Sequence, residues 1–251
     1  MKFIFLKLHV LLILTGLSAG ISVKATLINE QGKAKHAEEK PLKIFTLGDS
    51  NGALPFGWVN QLKKIRPDDT IFDISISGNT IGFNNNGRTS LNTLSNIGSY
   101  MEKACNKLGR IDMIILMLGT NDCKAVFKDS LSYVPENMRR LIQEIKLKSK
   151  LNKSKPVIFI VSPPPFGPDE MLEEKYKGGM ERVTKLNEQL ARIAREENVY
   201  FINTCQILSP VSKNLTTDGV HLNADGQKMI AFIIQENLKF FTSSRIFKHN
   251  D

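Results

Sequence analysis

The sequence of 251 residues places the parts of a nucleophilic site at four separate points. Ser50 sits in Gly48-Asp49-Ser50-Asn51-Gly52, and Asp218 and His221 share the short stretch Asp218-Gly219-Val220-His221. A serine hydroxyl holds its proton too tightly to attack a carbonyl at neutral pH, so an imidazole must take that proton. His221 is the candidate base. Asp218, three residues earlier, can accept from the other ring nitrogen, fix the tautomer and stabilise the imidazolium that forms. Gly78, in Ser77-Gly78-Asn79, offers a backbone amide, and Asn121, in Gly119-Thr120-Asn121-Asp122, a carboxamide. Both suit a developing oxyanion.

These groups act together only if the chain gathers them. Strands are expected at Leu42–Leu47, Thr70–Ile76, Ile111–Leu118, Pro156–Val161 and Val199–Ile202. The run over 111–118 is apolar throughout, the pattern of a strand buried on both faces of a parallel sheet. Between the strands, apolar residues at helical spacing predict a helix opening at Pro55 and carrying Trp58 and Leu62, and a second through Leu91, Leu94, Ile97 and Met101. Further helices are expected over 129–150, through Val183 to Ala194, and after Asn223, a suitable N-cap, with Ile230, Ile233, Ile234, Leu238 and Phe241 on the buried side. This alternation predicts a parallel sheet with helices on both faces. Ser50, Gly78 and Asn121 would then leave the sheet at the same edge, where such folds keep their ligand crevices.

On its own, Gly48 to Gly52 reads as a tight turn, and it also fits Gly-x-Ser-x-Gly, the nucleophile elbow of α/β-hydrolases. That elbow normally lies well inside the chain, with its acid and histidine on separate loops. The four blocks Gly48-Asp49-Ser50, Ser77-Gly78-Asn79, Gly119-Thr120-Asn121-Asp122 and Asp218-Gly219-Val220-His221, taken in order, instead resemble the SGNH hydrolases, the serine esterases also called the GDSL family. The resemblance implies a three-layer α/β/α sandwich around a five-stranded parallel sheet, the flavodoxin-like arrangement of that family. It implies Ser50, Asp218 and His221 as the catalytic triad, and the Ser50 amide, the Gly78 amide and the Asn121 side chain as the oxyanion hole. It implies no metal and no organic cofactor. Two positions depart from the family pattern: Asn51 replaces an aliphatic residue and Asn79 stands where an acid is frequent. Asn51 is therefore expected at the rim of the substrate pocket, with Phe83 and Phe166 from loops at the crevice edge as pocket walls. Arg88 and Lys124 could meet an anionic substrate group or be ordinary surface charge. Asp49 and Asp122 are expected to brace their loops, since a metal site made from Asp49, Asp122, Asp218 and His221 has no recognisable ligand spacing.

The rest of the composition narrows the class. Residues 1–25 carry Lys2 and Lys7, a short apolar run and an ending of small residues, the form of a cleavable signal peptide, so a secreted or periplasmic protein is expected. Residues 26–41 form a polar leader arm, 42–242 a single catalytic domain and 243–251 a polar tail. No later window is long and apolar enough to span a membrane, so no stable membrane insertion is expected. Loss of the signal lowers the net charge from +9 to +6 by removing Lys2, Lys7 and Lys24 with no acid. The lysine run from Lys146 to Lys155 has no interleaved aromatics and indicates no nucleic-acid partner. Cys105, Cys123 and Cys205 are too few and too scattered for a disulfide framework or a zinc site. The expected function is hydrolysis of a small carboxylic ester through an acyl-enzyme, with an acylated carbohydrate as substrate. The alternatives are a lipid acylhydrolase of lysophospholipase or thioesterase type, and a carbohydrate-binding relative without catalysis.

Overall fold

Five short segments of β-branched and other apolar residues become the strands β1 (Lys43–Gly48), β2 (Thr70–Ser75), β3 (Met113–Met117), β4 (Val157–Val161) and β5 (Tyr200–Ile202). The computed structural model describes residues 40–248, with side chains to residue 242. The expected signal peptide, most of the leader arm and the last three residues lie outside the described residues. All strand pairs are parallel, in the order β2-β1-β3-β4-β5. Helices are α1 (Ser50–Ala53), α2 (Trp58–Ile65), α3 (Thr93–Leu108), α4 (Val134–Leu151), α5 (Gly179–Glu196), α6 (Thr204–Leu208) and α7 (Ala224–Lys248).

Side chains alternate faces along a strand, so each central strand feeds two cores. Ile44, Met113, Ile115, Met117 and Phe159 pack with Trp58 and Leu62 of α2 and with Ile230, Ile234 and Leu238 of α7. Phe45, Leu47, Ile114, Leu116 and Ile160 pack with Met101, Leu141, Ile145, Leu186 and Leu190 of α3, α4 and α5. Every residue of β3 and β4 is buried. The result is the expected α/β/α sandwich on a five-stranded parallel sheet.

The element ends differ from expectation where distant groups intervene. α2 opens at Trp58 rather than Pro55, because the Trp58 amide finds its acceptor in Gln227 Oε1 of α7, 2.9 Å away. α4 opens at Val134 rather than 129; a 3₁₀ stretch, Ala125–Tyr133, precedes it, and Pro135 fits its first turn. α7 is capped by Asn223, whose side chain accepts from the Gly226 amide at 3.0 Å, and it continues to Lys248, beyond the start expected for the polar tail. No described helix is long and apolar enough to cross a membrane.

The strand order makes the chain leave β1 for β2 on one side and return to β3 on the other. Gly48 of β1 stands in register with Ser75 of β2 and Met117 of β3. The three following loops therefore emerge at one level, on either side of the point where the order reverses, and open a crevice there.

Candidate active site

Ser50 is the first residue of α1, immediately beyond β1. Asp49 caps that helix, its Oδ1 accepting from the Asn51 amide at 2.9 Å. The cap forces the chain to turn within two residues of the strand. A Cβ on Gly52 would lie 2.9 Å from the Ser75 Cβ and 3.1 Å from Trp58 Nε1, so only glycine allows α1 this close to β2. Ser50 is nine-tenths buried, with its Oγ 2.9 Å from His221 Nε2.

His221 lies in the loop before α7. An antiparallel bridge between Thr216 and Leu222 closes that loop, and the Thr216 hydroxyl donates to the His221 carbonyl at 2.7 Å. His221 Nδ1 is 2.6 Å from Asp218 Oδ2. With that nitrogen donating, Nε2 is left to accept from the serine. Asp218 Oδ1 accepts from the amides of Val220 at 2.9 Å and His221 at 2.7 Å. Partial burial would lift the Asp218 carboxyl, but the hydrogen bonds from the His221 ring and these amides outweigh it and hold the group below its ordinary value. The acid therefore stays ionised beside the imidazole.

The residues suited to an oxyanion, Ser50, Gly78 and Asn121, line one cleft together with His221. The Ser50 and Gly78 amides donate to no backbone acceptor among the described residues. Gly78 adopts φ +85°, and its carbonyl accepts from Asn85 Nδ2 at 2.6 Å. The Asn121 Nδ2 donates one proton to the Asn79 carbonyl at 3.0 Å, while its Oδ1 accepts from the Tyr176 hydroxyl at 3.3 Å. That orientation leaves the second amide proton of Asn121 for a ligand.

Beneath the site lie two buried acids. Asp122 accepts from the Ile81 amide at 3.0 Å. Burial pushes its carboxyl up to about 7; the Ile81 and Gly82 amides oppose the rise and the charge of Asp49 adds to it. Burial also lifts Asp49, against nearby hydrogen-bond donors and His221. Asp49 braces its own turn, whereas Asp122 ties the loop after β3 to the loop after β2, and no three metal-ligating side chains converge among the described residues.

A cleft of about 260 Å³ opens over Ser50 and His221, lined also by Ser77, Gly78, Asn85, Asn86, Arg88, Leu91, Asn121, Lys124, Lys175 and Tyr176. The three side chains expected on its walls are elsewhere. Asn51 is fully buried on the far side of α1, where its Oδ1 accepts from the Leu222 amide at 3.0 Å and from Gln227 Nε2 at 2.9 Å. Phe166 is also fully buried, edge-on to Tyr176 with ring centroids 5.7 Å apart, so it backs the wall without reaching the cleft. Phe83 stacks on Phe127, 4.6 Å between centroids, outside the cleft. The aromatic ring that does line it, Tyr176, belongs to the loop between β4 and α5, which has no periodicity or motif to mark it. Asn85 and Asn86 were legible only as a polar loop. The cysteines Cys105, Cys123 and Cys205 are free thiols.

The description GDSL-like Lipase/Acylhydrolase family fits residues 45–229, a span that includes all four sequence blocks. Among solved structures, the chain is similar to Est24, a carbohydrate acetylesterase from Sinorhizobium meliloti, at 20% identity and TM-score 0.64, over 79% of this chain and 98% of that one. It is similar to an aryl esterase of M. smegmatis, at 20% identity and TM-score 0.64 over 78% and 97% of the two chains. A lipase/acylhydrolase from Enterococcus faecalis matches at 16% identity and TM-score 0.59, over 79% and 96%. No curated protein sequence gives a match. The matched span covers most of the chain and both ends of the hydrogen-bonded relay, and the protein therefore belongs to the GDSL-like lipase/acylhydrolase family of ester-hydrolysing enzymes.

Proposed function

We propose that the protein is an exported esterase that removes acetyl or another short acyl group from a carbohydrate through an acyl-enzyme on Ser50. The observation that carries the reading is the continuous relay from Asp218 through His221 to Ser50, 2.6 Å and 2.9 Å at its two links, opening onto a cleft that Gly78 and Asn121 also line. Ser50 Oγ attacks the ester carbonyl carbon as His221 Nε2 takes its proton. The carbonyl oxygen gains the electron pair and is held by the Ser50 and Gly78 amides and Asn121 Nδ2. Collapse of the tetrahedral intermediate expels the alcohol, which leaves with the proton from His221. Water then repeats the sequence on the acyl-enzyme, releases the carboxylate and restores Ser50.

The cleft supports a short acyl group and a polar alcohol. It is small for a ligand pocket, and among the described residues Leu91 is the one aliphatic side chain on its wall, whereas a long acyl chain needs an extended apolar lining. The named activity of Est24 from Sinorhizobium meliloti lends support to the carbohydrate, and the pattern over residues 1–25 to export. A fluorophosphonate probe is expected to label the wild type and not Ser50→Ala; a probe-silent wild type would overturn the acyl-enzyme. Hydrolysis is expected to fall as the acyl chain of nitrophenyl esters lengthens, with acetate released from acetylated polysaccharide. Preference for long chains would replace the carbohydrate with a lipid. Sequencing the mature N-terminus of exported protein tests the signal peptide, and cleavage is expected near Ala25.

A further inference from the structure

The cleft that holds Ser50 is lined by basic side chains, and the ionised Asp218 lies behind His221, to which it is hydrogen-bonded. Arg88, Lys124 and Lys175 line the cleft, and among the described residues no Asp or Glu does. Lys124 is the telling member, because it is more than nine-tenths buried yet pairs with no described carboxylate. Of its three ammonium protons, one is used on Asn85 Oδ1 at 3.1 Å, and the charge lies 5.6 Å from the centroid of the Tyr176 ring. An ammonium taken out of water is destabilised unless an opposite charge meets it. Arg88 also has no carboxylate partner among the described residues and stands exposed on the opposite loop. Lys175 pairs at 2.6 Å with Glu173, an exposed acid outside the cleft. Burial and the neighbouring Lys175 charge both disfavour the charged form of Lys124, and Glu173 offsets them only in part.

We propose that Arg88, Lys124 and Lys175 seat an anionic group on the ester substrate, so that the enzyme prefers acidic esters, such as acetylated uronates, to neutral ones of the same size. This rests on the acyl-enzyme reading of the same cleft. An anion entering beside Ser50 would take up the free protons of Lys124 and relieve its desolvation. The guanidinium of Arg88 can add a two-point contact to a carboxylate, phosphate or sulfate. The overall excess of basic residues, net +9 and still +6 without residues 1–25, which carry Lys2, Lys7 and Lys24 and no acid, would draw such substrates in.

The test compares matched pairs. One pair carries the charge on the alcohol side, acetylated galacturonate against acetylated galactose. The other carries it on the acyl side, 4-nitrophenyl hemisuccinate against its neutral methyl ester. A kcat/KM ratio of roughly tenfold or more in favour of the anionic member of either pair is expected, and the pair that shows it locates the group. The ratio is expected to shrink at high salt and to fall toward one in Lys124→Gln. Arg88→Gln, at an exposed position, should lower it too and covers the case in which Lys124→Gln does not fold. Equal rates within both pairs would overturn the inference while leaving the esterase intact. If no ester is turned over and the probe fails to label Ser50, the acyl-enzyme reading fails instead. Binding then decides the charge preference: galacturonate is expected to titrate the wild-type protein more tightly than galactose, and equal binding would overturn it.

Discussion

At the scale of residues, the site divides into groups that perform chemistry and groups that hold them. Ser50 and His221 exchange a proton, while Asp218 acts through His221 and never meets the ester. Asp218→Asn would place an amide donor against Nδ1 and favour the wrong tautomer, so kcat is expected to fall about 10³- to 10⁴-fold in steady-state assays. Asn121→Ala removes one oxyanion donor, and a loss of about 10² to 10³ in kcat, with KM little changed, is expected. A loss expressed mainly in KM would place Asn121 in substrate binding alone. The residues of the relay and the oxyanion donors could be picked out beforehand because each stands in a short block whose type and spacing have a chemical reason. Tyr176 and Lys175 could not, since a loop side chain turns toward a cleft for reasons that lie in what surrounds it.

At the scale of elements, the main finding is how the serine turn and the histidine loop are joined. Asn51 Oδ1 accepts from Leu222 N, next to His221, and from Gln227 Nε2, while Gln227 Oε1 accepts from Trp58 N at the start of α2. One buried pair thus ties α1, α2, α7 and the catalytic loop. The departure of Asn51 from the usual aliphatic residue has its partner in Gln227, 176 positions away, and no local reading could have paired them. Asn51→Leu keeps the approximate volume but leaves a buried amide and a buried carboxamide donor unmatched, each costing about 1–3 kcal/mol. A lower thermal midpoint is expected, with a kcat loss larger than the KM change because the Ser50 to His221 distance relaxes. Gln227→Leu also orphans the Trp58 amide, so the double variant with Asn51→Leu is expected to be less stable than either single one, but by less than the sum of the two losses because both remove the same Asn51 to Gln227 bond; strict additivity would separate the two residues.

At the scale of the whole molecule, two acids give stability opposite dependences on pH. Asp218 has a lowered folded value, so its contribution is present above the ordinary carboxylate range and is lost as pH falls through it. Asp122 is raised from 3.8 to about 7, so the folded chain keeps a proton that the unfolded chain has released across that interval. Stability from this group therefore declines as pH rises from about 4 to about 7 and then levels. Urea midpoints measured at about pH 5 and about pH 8 are expected to favour the wild type over Asp122→Asn at the lower pH and less so at the higher. A difference independent of pH would remove Asp122 as the source.

The sequence by itself determined the alternation of strand and helix, the parallel sheet and the four blocks at strand or loop ends, because these depend on local periodicity and on residue types with few structural uses. Gly52, Ser50, Asp218 and His221 follow from chemistry written within a few residues. Only the tertiary structure decided what faces the cleft. The burial of Phe166 behind Tyr176, the inward turn of Asn51 toward Gln227, and the convergence of Arg88, Lys124 and Lys175 beside Ser50 all depend on contacts between elements far apart in the chain. The physical reason is that a side chain's direction on a loop is set by the neighbours that exclude or accept it, and those neighbours are assigned only when the layers pack.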